Sequence, residues 1–391
     1  MDRPQGTTAE VFLAFLKLGL TSFGGPVAHI GFFRSEFVGR RKWLDEPAYA
    51  DLVALCQFMP GPASSQVGIA IGKLRAGYPG AFAAWVAFTL PSVVALLLVA
   101  FGAASLSGPI AEGALHGLKL AALAVVAQAV WAMSQSLTPD WTRRAIALLA
   151  AGLMLALPFS WTQVLIIGAA ALAGYLRTPN TGTDVPPGKA GRSSLIWLGA
   201  FFVLLIGLPL LALAGWSPLV IAEKFYRAGA LVFGGGHVVL PLLDAELVRP
   251  GLISENAFLA GYGAAQAVPG PLFSFAAYAG AMLNVEPSGV AGATLAIVAI
   301  YVPSFLLVFG LLPIWQSLRG NTRLRAGLNL ANAAVVGLLL AALYNPVFTG
   351  AVEQWWHVIW AAIALALLLW RWPPWLVVIA SAVVGAGVAL V

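Results

Sequence analysis

The chain has 391 residues, of which 60% are hydrophobic and 9% charged, with a formal net charge of +6. A soluble domain carries roughly 25% charged residues, so a soluble globule is excluded and most of the surface must face lipid. The basic residues sit in short loops, which reads as a membrane topology signal and not as a nucleic-acid surface. One cysteine, Cys56, rules out an intrachain disulfide, and His29, His116, His237 and His357 show no metal-ligand spacing. No cleavable leader pattern precedes the first apolar stretch, so the apolar segments read as permanent membrane structure.

In chain order, residues 11–33 are apolar but interrupted by Phe23-Gly24-Gly25-Pro26. Residues 48–73 are interrupted by Pro60-Gly61-Pro62. Segments 81–103 and 115–133 approach or exceed the ~20 apolar residues that a membrane helix needs. Segment 146–175 is split at Leu157-Pro158 into two short arms. A polar stretch, 177–194, divides the chain nearly in half, and apolar segments 195–214, 291–312 and 328–343 follow.

The halves are related. Phe23-Gly24-Gly25-Pro26 matches Phe233-Gly234-Gly235-Gly236, which sets Lys17 on Arg227 and Glu36 on Glu246. Gln57-Phe58-Met59-Pro60-Gly61-Pro62 matches Gln266-Ala267-Val268-Pro269-Gly270-Pro271, which sets Ser65 on Ser274. Pro91-Ser92 matches Pro303-Ser304, and Gly117-Leu118-Lys119 matches Gly327-Leu328-Asn329. Basic loops favour the cytoplasm, and they alternate between the halves. Arg40, Arg41 and Lys42 face an acidic counterpart with Asp244, Glu246 and Glu255, whereas Arg319, Arg323 and Arg325 face a stretch without Lys or Arg. That alternation predicts an all-α polytopic fold of two inverted-topology repeats. The expected units are 1–176, a linker and extra transmembrane helix over 177–217, and 218–391. If the 40–42 and 73–75 loops share a side, the segment between them is a re-entrant hairpin with Pro60-Gly61-Pro62 at its tip. Val11 to Val38 is expected to break in the same way at Gly24-Gly25; a kinked spanning helix is the alternative for either segment.

The breaks are where chemistry is expected, because bare backbone at membrane depth is tolerated only inside protein or along a watery cavity. A helix restarting after Pro62 offers free N–H groups to an anion, with Ser64, Ser65 and Gln66 adding side chains. Candidate binding residues are therefore Gly24, Gly25, Pro26, His29, Gln57, Gly61, Ser64, Ser65 and Gln66 in the first half. Their second-half companions are Gly235, Gly236, His237, Gln266, Gly270 and Ser274. Ser64 and Ser65 also suit simple helix caps, and each histidine also suits a purely structural role. Lys17 and Arg227 lie within apolar segments, where a cation is a functional candidate unless it snorkels to the interface. Glu36 and Glu246 read more readily as surface ion-pair partners than as proton carriers. No phosphate-binding Gly-x-x-x-x-Gly-Lys-Ser/Thr loop and no hydrolytic triad or zinc motif is present, so neither an enzyme nor a cofactor is expected.

At these motifs the sequence resembles the chromate transporter family, in its long two-domain form. The resemblance rests on Phe23-Gly24-Gly25-Pro26 with His29, Phe33-Arg34, Glu36-Phe37-Val38, Trp43-Leu44, Gln57, Pro60-Gly61-Pro62 and Ser64-Ser65-Gln66. It extends through Phe233-Gly234-Gly235-Gly236-His237 and Gln266 to Pro271. It implies a multi-pass protein of the bacterial inner membrane that exports chromate, with sulfate as a competing or alternative anion. A homodimer stays open as an assembly. The residues themselves support an anion, and a negative-inside potential favours its outward movement by about 2.3 kcal/mol per charge per 100 mV. A sulfate importer or exchanger, an anion channel and a membrane-embedded enzyme are the other readings.

Overall fold

A computed structural model describes residues 6–105, 108–157, 159, 161–179, 191–318 and 320–390. The central part of the polar linker, Pro158 at the split between the two arms, and Arg319 lie outside them. Among the described residues every regular element is helical. Among these residues five helices are long and apolar enough to cross a membrane, and each covers all or nearly all of one of the unbroken apolar segments of the sequence.

The first half opens with helix α1 (Thr8–Thr21), whose N-terminus is capped by the Thr7 hydroxyl accepting from the Glu10 N–H at 3.1 Å. It stops at Gly24 and Gly25, whose φ values of +100° and +77° suit glycine and little else. Helix α2 (Gly25–Phe33) restarts with Pro26 in its first turn and runs into a π-helical turn, Arg34–Arg40. Helix α3 (Glu46–Phe58) is capped by the Asp45 carboxylate and ends before Pro60-Gly61-Pro62, where Gly61 takes φ +121°. Helix α4 (Ala63–Ser105) starts beyond that break and is itself interrupted at Ala76 and Gly77. There the chain folds back so tightly that a Cβ on Gly72 would strike the Gly80 carbonyl.

The far ends of these arms meet. The Arg41 and Arg75 guanidinium groups lie over the Trp43 ring at 5.3 and 5.0 Å, and both pair with Glu10. The start of α1, the end of the π turn, the approach to α3 and the end of the first arm of α4 thus share one base. Residues 8–41 and 43–75 are two hairpins that leave and return at that base. Arms of 13 or 14 residues rise about 20 Å, short of the ~30 Å hydrocarbon core. Both segments break at the expected glycines and prolines and fold as hairpins of two short arms.

Four further helices finish the first half and the connection: α5 (Pro109–Leu137), α6 (Trp141–Ala156), α7 (Thr162–Arg177) and α8 (Arg192–Ala212). Helix α8 turns Ile196, Val203, Ile206 and Leu210 outward, as a lipid-facing helix must. Its Phe201 is buried, and the carbonyl accepts from the Tyr226 hydroxyl at 2.9 Å.

The second half repeats the plan. Helix α9 (Ser217–Leu231) ends at Gly234-Gly235. A 3-10 turn, Gly236–Val238, leads into α10 (Val239–Leu243) and a π-helical turn, Asp244–Val248. Helix α11 (Glu255–Ala267) runs to Pro269-Gly270-Pro271, and α12 (Phe275–Ala281) leaves it after a second 3-10 turn. Helix α13 (Gly289–Leu311) then packs back on α12 through Gly280 and Gly292, as the two arms of α4 pack through Gly72 and Gly80. The remaining helices are α14 (Trp315–Leu318), α15 (Thr322–Ala342), α16 (Thr349–Ala351), α17 (Trp355–Leu369) and α18 (Pro374–Val388).

The halves interlock. Helices α6 and α7 pack on α15, while α17 and α18 pack on α5. Small residues permit the approach: Gly117 rests on the Ser381 backbone, Gly174 on Ala326 and Gly337 on Ala147. In lipid, where apolar burial gives no drive between helices, such backbone proximity maximises packing.

Candidate functional site

The tips of the four hairpins converge. The Gly61 N–H donates to the Val232 carbonyl at 2.6 Å, and the Gly270 N–H donates to the Ser22 carbonyl at 2.9 Å. These two bonds are repeat equivalents: Gly61 matches Gly270, and Val232 matches Ser22. Each Pro-Gly-Pro break is therefore tied to the Gly-Gly break of the other half. Pro26 also touches the space above Gly236, within 3.3 Å of where its Cβ would stand.

Polar groups gather at this junction. His29 is fully buried between the Ser64 hydroxyl (3.4 Å) and the Ser22 carbonyl (3.3 Å). The Ser65 hydroxyl lies 3.2 Å from the Tyr301 hydroxyl of the other half. Ser274 donates to the Pro271 carbonyl at 2.7 Å and Gln66 to the Pro60 carbonyl at 2.6 Å, so both brace their breaks. His237 lies 2.9 Å from the Tyr262 hydroxyl. The Ser22 and Ser304 hydroxyls are buried at the junction with no hydrogen-bond partner among the described residues. Buried hydroxyls are normally paired, so both keep a donor that no described side chain or carbonyl takes up.

Ser92 and Ser304 were not expected at the site, although Pro-Ser repeats in both halves. A Cβ on Gly61 would come within 3.0 Å of Ser304 Oγ, and one on Gly270 within 3.0 Å of Ser92 Oγ. Tyr301 and Tyr262 were also missed. Gln57 lies on a cavity of about 720 Å3 that runs between α3 and α15 and includes Asn329 and Asn332. Asn332 Oδ1 lies within 3.7 Å of the Cβ position of Gly234, so this cavity reaches the tips.

Lys17 and Arg227 are not at the tips. Lys17 Nζ is 3.8 Å from Glu36, which Arg41 also holds at 2.7 Å and Arg40 at 3.3 Å. Arg227 pairs with Glu246 and, at 3.1 Å, with Glu223, and its guanidinium covers the Trp161 ring at 4.5 Å. The surface reading of Glu36 and Glu246 is corrected: they are 6% and 5% exposed. Their π-helical turns rotate them inward onto the opposite arm. The true surface pair is Arg34 with Glu46, where the Arg34 guanidinium holds the exposed carboxyl below its ordinary range. Among the described residues no group of three His, Cys, Asp or Glu is placed to hold a metal.

This is the architecture of a polytopic membrane protein whose broken helices meet in an enclosed polar junction. The chain belongs to the chromate transporter family: the profile described as chromate transporter matches residues 9–175 and 219–386. A probable chromate transport protein of Synechococcus elongatus is 28% identical, across 84% of this chain and 82% of its own. The chromate transport protein of Pseudomonas aeruginosa is 26% identical, across 86% and 80%. An uncharacterized transporter of Methanocaldococcus jannaschii is 27% identical, across 87% and 84%. No solved structure matches the chain.

Proposed function

We propose that the chain is a secondary transporter that exports chromate across the bacterial inner membrane, binding the dianion among the four hairpin tips. Family membership supports chromate transport. The observation that carries the site is the reciprocal pair of bonds, Gly61 to Val232 and Gly270 to Ser22, around unpartnered Ser22 and Ser304 hydroxyls. Hydroxyls and the first N–H groups of α4 are neutral donors, which hold an oxyanion without trapping it as a bare cation would. The buried cations near the hairpin bases are already matched by carboxylates. The driving force in this reading is the membrane potential, with proton exchange as an added or alternative coupling. The two halves are of inverted topology, related by an axis through the tips.

The same donors read oxygen geometry, not the central atom. Sulfate, a tetrahedral dianion, is therefore the second substrate reading. The test is flux of chromate and of sulfate in proteoliposomes with pH and voltage set independently. Chromate flux that follows the voltage supports the proposal; sulfate flux alone favours the second reading. Absence of both overturns the anion site.

A further inference from the structure

Two cavities flank the tip junction at repeat-equivalent places. The first lies between α3 and α15 and is lined by Asp51, Ala54, Gln57, Leu328 and Asn332. The second, of about 570 Å3, lies between α11 and α5 and is lined by Ala260, Leu115, His116 and Lys119. By the sequence match Ala260 stands for Asp51, Leu115 for Arg325 and Lys119 for Asn329, so the two are one feature seen twice.

They differ in depth. The first cavity continues past Ala54 and Leu328 to Gln57 and Asn332 at the tips. The second stops short: its lining includes neither Gly263, Gln266 nor Leu118. The reason is a packing contact. Gly263 of α11 lies so close to α5 that a Cβ on it would collide with the Leu118 carbonyl. Gly263 is the equivalent of Ala54, and Leu118 of Leu328. The same pair of positions is shut on one side of the tips and open on the other.

We propose that Gly263 on Leu118 is the closed gate of the transport pathway, and that Ala54 on Leu328 is the gate that closes in the alternate state. The proposal rests on the transport reading above. In that reading the open cavity, which takes in Gly320 and Arg325 beside the basic loop, faces the cytoplasm and loads the anion. A pseudo-twofold protein reaches its other state by exchanging the conformations of its halves, so the shut pair and the open pair trade places. Glycine at 263 and alanine at 54 leave each gate one methyl apart in size. That difference biases the resting state towards closure at Leu118, because packed backbones gain contacts that a methyl would prevent.

The experiment is disulfide trapping in membrane vesicles. The only native thiol, buried Cys56, is first removed as Cys56→Ala, and Ala54→Cys is combined with Leu328→Cys. Copper-phenanthroline oxidation is expected to join the pair, stop anion flux and shield Asn332→Cys from an impermeant maleimide. Reduction restores both. Adding Gly263→Ala, which pries open the opposite gate, is expected to speed cross-linking about tenfold, a 1.4 kcal/mol shift in population. Failure of the pair to cross-link in correctly inserted protein overturns the proposal, as does a cross-linked protein that still transports or still labels at Asn332→Cys. Should Gly263→Ala fail to insert, cross-linking and maleimide shielding with glycine at 263 decide alone. Trapping that succeeds in a protein that moves neither chromate nor sulfate keeps the gate and removes the anion assignment.

Discussion

The bases and tips of the hairpins use opposite chemistry. At the bases, Glu36 gathers Lys17, Arg40 and Arg41, and Glu246 gathers Lys224 and Arg227. At the tips, histidines, serines and backbone N–H groups meet. A hairpin of two short arms draws on both. Ion pairs hold two short arms side by side where they enter. In the proposed function, a dianion that must leave again is better met by many weak neutral donors than by one strong cation. The comparison also separates the halves. Lys17 is 53% exposed at its side chain, whereas Arg227 is 8% exposed.

The largest expected effect tests that last difference. Glu246→Ala leaves Arg227 buried with only Glu223, and breaking a buried pair costs about 3–5 kcal/mol. Glu36→Ala leaves Lys17 and Arg40, whose side chains are 53% and 57% exposed, and Arg41, which keeps Glu10 at 4.0 Å, so the loss is on the order of 1 kcal/mol. Thermal unfolding in detergent should therefore rank the first variant well below the second; equal midpoints would erase the distinction between the halves. Next come the tips. Gly61→Ala and Gly270→Ala each force a side chain into a left-handed backbone and against a serine, a strain of about 1–3 kcal/mol. Inserted protein with flux at a few per cent of normal is the expected result, and normal flux in either variant argues against the reciprocal tip contacts. Smaller still, Ser65→Ala, Ser274→Ala and Ser304→Ala each remove one hydroxyl. If it meets the anion, the loss of about 1.5 kcal/mol raises the apparent KM for chromate in everted vesicles roughly tenfold. Unchanged kinetics would remove that serine from the site.

Much of this plan was legible in the chain because its signals are local. Gly24-Gly25 and Pro60-Gly61-Pro62 break helices wherever they stand, so the half-helices could be placed from composition and spacing alone. The partnerships were not local. Gly61 reaches Val232 and Ser65 reaches Tyr301 across the two halves, and only their repeated motifs hinted that they meet. Ser92 and Ser304 stood in matched Pro-Ser pairs, yet a proline in a membrane helix is commonly a kink and no more. The burial of Glu36 and Glu246 was hidden for another reason. A π-helical turn adds a residue to each cycle and rotates the side chains that follow, and its i to i+5 bonding leaves no sequence mark.

The smallest expected effect bears on the role of charge at the bases. Lys17 stands in an apolar helix, which alone would make it a candidate to attract the anion. In the structure its amine lies 3.8 Å from Glu36, and 53% of its side chain is exposed. A cation already matched by a carboxylate projects little net field to the tips, because the opposite charges of the pair largely cancel at a distance. Lys17→Gln should then change the apparent KM for chromate by less than about twofold, because uniform anion binding is untouched. It should lower the melting temperature only slightly, Arg40 and Arg41 remaining on Glu36. A large rise in KM with normal insertion would show that the base cations reach the anion. In that event the division of labour between tips and bases would have to be redrawn as a single positively biased path, with Arg227→Gln producing the same rise from the other half.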